Sequence, residues 1–263
     1  MKKSLTSLLV LLTAAFFCGC ATICGEKAAP PQPATIHLVG DSTCASYPAS
    51  RAPLTGWGQV LNNYVNPAYG KVNNQAYSGY STNSYIYSGR WDRLMKQLKP
   101  SDFVVIQFGH NDGGAKKNTK RYADVKTAYP ANLTRFVKDV RARKANPILV
   151  TSIAKCIFKK GKVTPNYLLK YRDAMMNVAK NENVPLIDIN TITITQWNKI
   201  GEKAAYALYL GPVYTKVKPG SKDKPKFRYD DRTHLSVNGA HEVAKMFVKA
   251  CKEQKLPIAE YFK

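Results

Sequence analysis

The apolar residues of this chain fall in short unbroken runs, separated by longer stretches with helical periodicity. Residues 36–39, 102–108, 147–151 and 185–189 are apolar at most positions and bounded by Gly, Pro or polar residues. Continuous rather than alternating apolarity is what a strand buried on both faces requires. Between these runs, residues 91–98 place Trp91, Leu94, Met95 and Leu98 on one helical face, and residues 128–142 do the same with Leu133, Phe136, Val137 and Val140. Residues 167–181 and 240–251 complete the helical set. Strands alternating with helices predict an α/β fold, a three-layer α/β/α sandwich around a mainly parallel central sheet. Residues 212–230, rich in Lys and Pro, read as a long surface loop.

The N-terminus follows another rule. Lys2 and Lys3 precede an apolar and small-residue run over residues 8–17, then Cys18-Gly19-Cys20-Ala21. A basic start followed by a short apolar stretch reads as an export signal over residues 1–19, too short for a membrane span. Phe17-Cys18-Gly19-Cys20 is similar to a bacterial lipobox, which makes Cys20 a candidate for lipidation and membrane anchoring. Ordinary cleavage near Ala21 or beyond is the alternative. Residues 20–34, rich in Ala and Pro, read as a tether, and residues 35–263 as the folded domain. The expected location is exported: periplasmic, outer-membrane-anchored or extracellular in a bacterium.

Composition sharpens this picture at two points. With 44% hydrophobic and 11% aromatic residues in a chain of 263, whole-chain disorder is excluded. The formal charge of +23 favours a polyanionic partner: nucleic acid, an anionic membrane or an acidic polysaccharide. Export makes nucleic acid the weakest of the three. Cys44, Cys156 and Cys251, like Cys20 and Cys24, show no metal-binding spacing, and both one disulfide and buried free thiols fit them. The histidines, His37, His110, His234 and His241, are equally scattered, so neither metal nor cofactor is expected.

Ligands of an open α/β sheet sit beyond the carboxyl ends of its strands. Two predicted strands end in Gly40-Asp41-Ser42-Thr43 and Gly109-His110-Asn111-Asp112, and Asp231-Arg232-Thr233-His234 lies just before the last helix. Each alone has a plain structural explanation. Asp41-Ser42 can cap a helix, Asn111 and Asp112 can form a turn, and Asp231 and His234 can lie exposed ahead of a helix capped by Ser236. Together, Ser42, Asn111, Asp231 and His234 supply a nucleophile, an amide donor, an orienting carboxylate and a base.

Their order resembles the SGNH, or GDSL-type, hydrolases, with the glycine block of that family best matched by residues 74–81 (NQAYSGYS). The resemblance implies a flavodoxin-like sandwich in which Ser42 attacks an ester, His234 is the base and Asp231 orients it from three residues away. It further implies an oxyanion hole formed by the backbone N–H groups of Ser42 and Gly79 and the side chain of Asn111, with Gly70 and Gly89 as nearby alternatives to Gly79. Asp41 and His110 are expected to be structural. The flanks Gly40-Asp41-Ser42-Thr43, Gly56-Trp57-Gly58, Gly89-Arg90-Trp91-Asp92 and Gln107-Phe108-Gly109-His110-Asn111-Asp112 are similar to the rhamnogalacturonan acetylesterase subgroup, which removes O-acetyl groups from pectin. One departure stands out: the subgroup usually carries Gly-Gly-Arg-Ser where this chain has Ser78-Gly79-Tyr80-Ser81. The expected partner is an acetylated polysaccharide or oligosaccharide, with Trp57, Tyr77, Tyr80, Tyr85 and Tyr87 as candidates for stacking on sugars. Other acyl hydrolases (xylan acetylesterase, lipase, thioesterase) are the alternative, and a non-enzymatic basic polyanion binder the remote one.

Overall fold

The computed structural model describes residues 30–114, 116–214, 224 and 226–263. The expected export signal, Cys20 and most of the tether lie outside the described residues. Pro31–Lys263 form one unit.

At its centre lies a five-stranded, wholly parallel sheet. Its strands are β1 (Ala34–Gly40), β2 (Gly70–Asn74), β3 (Phe103–Gln107), β4 (Asn146–Val150) and, after a two-residue hairpin of β5 (Phe158–Lys159) and β6 (Lys162–Val163), β7 (Leu186–Ile187). Their order is β2-β1-β3-β4-β7. Successive side chains point to opposite faces, so both faces are apolar. Ile36, Leu38, Phe103, Val105, Ile148 and Val150 enter one core layer; Val39, Val104, Ile106 and Leu149 enter the other. The first layer is closed by α1 (Trp57–Val60) and α9 (Val237–Glu253), where Trp57 packs on Phe247 at 5.1 Å. The second is closed by α3 (Arg90–Gln97) and α5 (Ala128–Ala142), with Trp91 4.1 Å from Phe136. The three-layer reading of the sequence holds.

Two expectations change, and one strand, β2, is added that the sequence reading does not include. The predicted strand at 185–189 is cut to Leu186–Ile187 because Asp188 turns outward as an N-cap, accepting from Thr191 N–H. The helix it starts, Ile189–Ile200, is built largely of Ile and Thr, residues of modest helix propensity that tertiary packing overrides. β2 is short and half-exposed, so it lacks the continuous apolarity that marks its neighbours. Residues 212–230 are not simply a loop: β8 (Tyr209–Tyr214) and β9 (Phe227–Leu235) form an antiparallel hairpin whose flanks carry polar, exposed side chains.

The strand order reverses at β1, which has β2 on one side and β3 on the other. Such a switch point opens a crevice at the carboxyl ends of the two strands. Ser42 follows β1, and Asn111 follows β3.

Candidate active site

The turn that carries Ser42 is held from below by a chain of buried side-chain hydrogen bonds. Trp57 Nε1 donates to Gln107 Oε1 (2.7 Å), Gln107 Nε2 to Thr43 Oγ1 (2.6 Å), and Thr43 Oγ1 to Asp41 Oδ1 (2.8 Å). Thr43 N–H also donates to Asp41 Oδ1 at 2.9 Å. Asp41 is wholly buried, and its second oxygen lies 3.3 Å from His110 Nδ1 in an electrostatic contact. Burial pushes the Asp41 carboxyl up, but His110 and the Thr43 donors outweigh it and hold the group below its ordinary value. Asp41 therefore serves as an ionised anchor beneath Ser42.

His234 and Asp231 come from β9. Between the pairs Tyr209↔Leu235 and Gly211↔Asp231, β8 advances two residues while β9 advances four, so β9 bows outward. The bow is closed by Asp231 itself. Its Oδ1 accepts from Thr233 N–H (3.0 Å) and His234 N–H (2.9 Å), and its Oδ2 lies 2.8 Å from His234 Nδ1. His234 Nε2 then meets Ser42 Oγ at 2.9 Å. Burial pushes the Asp231 carboxyl up, but the His234 side chain and the two backbone donors outweigh it and keep the carboxyl below its usual range. The three residues form an unbroken Ser–His–Asp relay.

Gly79 occupies a tight turn closed by Tyr80 N–H donating to Tyr77 O (3.2 Å) and pinned to the end of β1 by Tyr77 N–H donating to Gly40 O (2.9 Å). Its φ of +81° is the left-handed conformation that the third position of such a turn demands. Among the described residues, neither the Ser42 nor the Gly79 backbone N–H has a protein acceptor. The alternatives are less suitable. Gly70 opens β2 at the opposite end of the sheet, and Gly89 N–H is taken by Ile86 O (2.9 Å). Asn111 lies in a short helix, His110–Gly114, and its Nδ2 donates to Tyr80 O at 2.9 Å. That bond uses one of its two N–H groups and ties Asn111 to the Gly79 turn. Gly109 ahead of it has φ +144°, and a Cβ there would collide with Ser152 Oγ, so the approach from β3 to Asn111 requires glycine.

Beside His234 lies a cleft of about 360 Å³, lined by Tyr47, Arg51, Pro53, Leu54 and Ser78 on one side and Leu210, Pro212, Val213 and Tyr229 on the other, with Asp231 and His234 between. The hairpin thus supplies a wall that no loop reading of residues 212–230 provides. Tyr47 also escapes sequence analysis: its hydroxyl donates to Ser42 O at 2.7 Å. Two of the proposed sugar-stacking residues are corrected. Trp57 and Tyr85 are fully buried, committed to Gln107 and to Gln75 O, whereas Tyr77 and Tyr87 remain 48% and 70% exposed. Thr43 and Gln107, motif flanks in the sequence, and Trp57 together form the bond chain beneath Ser42.

Residues 38–241 match the GDSL-like Lipase/Acylhydrolase family. The chain is 32% identical over 230 residues to the rhamnogalacturonan acetylesterase RhgT of Bacillus subtilis (strain 168), covering 88% of this chain and 94% of that protein. Among solved structures, it is similar to YxiM of Bacillus subtilis, with a TM-score of 0.70 at 26% identity over 87% of this chain and 58% of the other. Its fold is also that of the acetylxylan esterase Axe2 of Geobacillus stearothermophilus, with a TM-score of 0.60 at 18% identity over 84% of this chain and 94% of that one. With its sheet order, its switch-point site and this match over most of its length, the chain belongs to the GDSL-like lipase/acylhydrolase family of carboxylic ester hydrolases.

Proposed function

We propose that this protein is an exported serine acetylesterase that removes O-acetyl groups from an acidic polysaccharide, most directly the rhamnogalacturonan of pectin. The observation that carries the mechanism is the relay from Asp231 through His234 to Ser42, joined at 2.8 and 2.9 Å beside an open cleft. The relatives' activity on acetylated rhamnogalacturonan, given in the name of RhgT, supports the acyl group and the polymer.

In this reading Ser42 Oγ attacks the acetyl carbonyl as His234 Nε2 takes its proton. Asp231 keeps the Nδ1 proton on its own side, so Nε2 faces Ser42 as the acceptor. Charge on the tetrahedral oxygen is met by the free N–H groups of Ser42 and Gly79 and the second N–H of Asn111. Collapse expels the sugar oxygen, which takes the proton back from His234. Water, deprotonated by the same imidazole, then attacks the acetyl-Ser42 ester and releases acetate.

The test is acetate release from acetylated rhamnogalacturonan, xylan and chitin fragments by wild type and Ser42→Ala. Rhamnogalacturonan should be preferred, and Ser42→Ala should lose about 10⁴-fold or more in kcat. Equal rates on xylan refute the pectin reading, and a preference for octanoyl over acetyl nitrophenyl esters refutes the acetylesterase reading. Because the charge of +23 would draw a polyanion by a long-range field, salt should slow hydrolysis of polymeric pectin more than that of a neutral acetyl ester. Cell fractionation tests export: recovery in the cytoplasm overturns it.

A further inference from the structure

Among the described residues, the cleft beside His234 is lined by one guanidinium, that of Arg51, and one carboxylate, that of Asp231. Asp231 is already committed to His234 and two backbone N–H groups. Arg51 is not committed to any acid. The arginine ion pairs among the described residues are made by Arg135, Arg172 and Arg232, and Arg51 takes part in none. An arginine carries five donors in a planar fork that fits a carboxylate with two parallel bonds.

Its position is set by both halves of the site. Arg51 ends a short turn, Ala49–Arg51, in which its N–H donates to Pro48 O (2.9 Å) and its carbonyl accepts from Leu54 N–H (3.0 Å). That segment is fixed to the base side by Thr55 N–H donating to Leu235 O (3.1 Å), one residue beyond His234. It is fixed to the nucleophile side through Tyr47, whose hydroxyl bonds Ser42 O and whose ring lies 5.5 Å from the Arg51 guanidinium carbon. Arg51 and the Ser42 backbone therefore contact the same Tyr47 side chain, and Arg51 lines the same cleft as His234. Tyr229 lines the same cleft, is 49% exposed and offers an aromatic surface for a sugar of the bound chain.

We infer that Arg51, backed by Tyr47 and sharing the cleft with Tyr229, is a subsite for the carboxylate of a uronic acid in the acetylated chain. This rests on the acetylesterase reading above and adds to it the residue that selects an acidic chain over a neutral one. Arg51 lies outside the Ser78-Gly79-Tyr80-Ser81 block, so the arginine missing from that block does not leave the cleft without a cation.

The experiment compares kcat/KM of wild type, Arg51→Gln, Arg51→Lys and the exposed-surface control Lys96→Gln on acetylated rhamnogalacturonan oligosaccharides and on acetylated xylooligosaccharides. One charge-assisted contact corresponds to about a 10- to 100-fold change. Arg51→Gln should lower the ratio of acidic to neutral kcat/KM by that factor, mainly through KM, and Arg51→Lys should restore part of it. Lys96→Gln removes the same charge from the distant helix α3 and should leave the ratio within about twofold. A second readout does not depend on which polymer is the substrate: inhibition of 4-nitrophenyl acetate hydrolysis by unacetylated galacturonate oligosaccharides should weaken by the same factor in Arg51→Gln. Equal losses on acidic and neutral substrates, or unchanged inhibition, overturn the subsite. If wild type ignores acetylated rhamnogalacturonan yet shows Arg51-dependent inhibition by galacturonate, the subsite stands and the pectin reading falls.

Discussion

The two halves of this site are held in opposite ways. Ser42 rests on residues drawn from three separate segments, Asp41 and Thr43, Trp57, and Gln107, all with side chains out of contact with water. His234 rests on its own strand: apart from its bond to Ser42 Oγ, the bonds that orient it come from Asp231, three residues away. The placement of Ser42 is a product of tertiary packing, whereas that of His234 is a product of local distortion in β9. Damage to the first should therefore appear mainly as lost stability. Damage to the second should appear mainly as lost chemistry.

Asp231 gives the sharpest test of that contrast. Asp231→Asn keeps an oxygen for the two backbone N–H groups but holds the imidazole in the wrong tautomer, so kcat/KM should fall by about 10⁴-fold with little change in Tm. Asp231→Ala removes the backbone acceptors as well and should cost a further 1–3 kcal/mol of stability, at an order-of-magnitude level of about that size. Equal Tm values for the two variants would mean that something other than Asp231 closes the bow. Next in size is Asn111→Ala, which removes one oxyanion donor and should cost about 10²- to 10³-fold in kcat, measured with 4-nitrophenyl acetate. On the other half, Gln107→Leu leaves Trp57 Nε1 without its acceptor and the Thr43 hydroxyl without its donor, though that hydroxyl keeps its bond to Asp41. Thermal unfolding should reveal a loss of about 2–4 kcal/mol, with a smaller fall in kcat than Asn111→Ala produces. A larger fall would make Gln107 part of the chemistry and erase the contrast.

The smallest effect concerns pH. Asp112, next to Asn111, is fully buried, and burial pushes its carboxyl up to about 7 despite bonds from Thr82 N–H and Oγ1. A buried acid whose value is raised on folding keeps its proton in the folded state, so its ionisation opposes folding as pH climbs from the ordinary carboxylate range toward 7. The Tm of Asp112→Asn, measured relative to wild type, should therefore rise between pH 4 and pH 8. A flat difference would mean that Asp112 titrates normally.

Much of this was legible in the residues. The runs ending at Gly40 and Phe108 marked the two strands that flank the switch point, because a strand buried on both faces must be apolar throughout. The periodicity over 128–142 coincides with α5, whose Leu133, Phe136, Val137 and Val140 are all buried. The motif blocks picked out Ser42, Asn111, Asp231 and His234, and the fold brings the first, third and fourth into one hydrogen-bonded line. Short or exposed segments were not legible. β2 has a half-exposed burial pattern, and the β8–β9 hairpin exposes most of its second strand, so neither leaves a clear apolar trace. Aromatic residues misled for a related reason. Trp57 and Tyr85 have the chemistry to stack on a sugar, but only packing decides whether such a ring faces water or core.

The sequence by itself determined the layer architecture and the set of groups able to perform ester hydrolysis. Burial pattern and functional-group chemistry are both written residue by residue. The tertiary structure alone decided which partner each group would meet. It set the strand order that puts Ser42 and Asn111 at one crevice, and the bow in β9 that turns His234 onto Ser42. It also placed Arg51 of one loop in the same cleft as Tyr229 of a hairpin 178 residues further along the numbering. These are distances between segments remote in the chain, fixed by how the layers pack, and no local pattern encodes them.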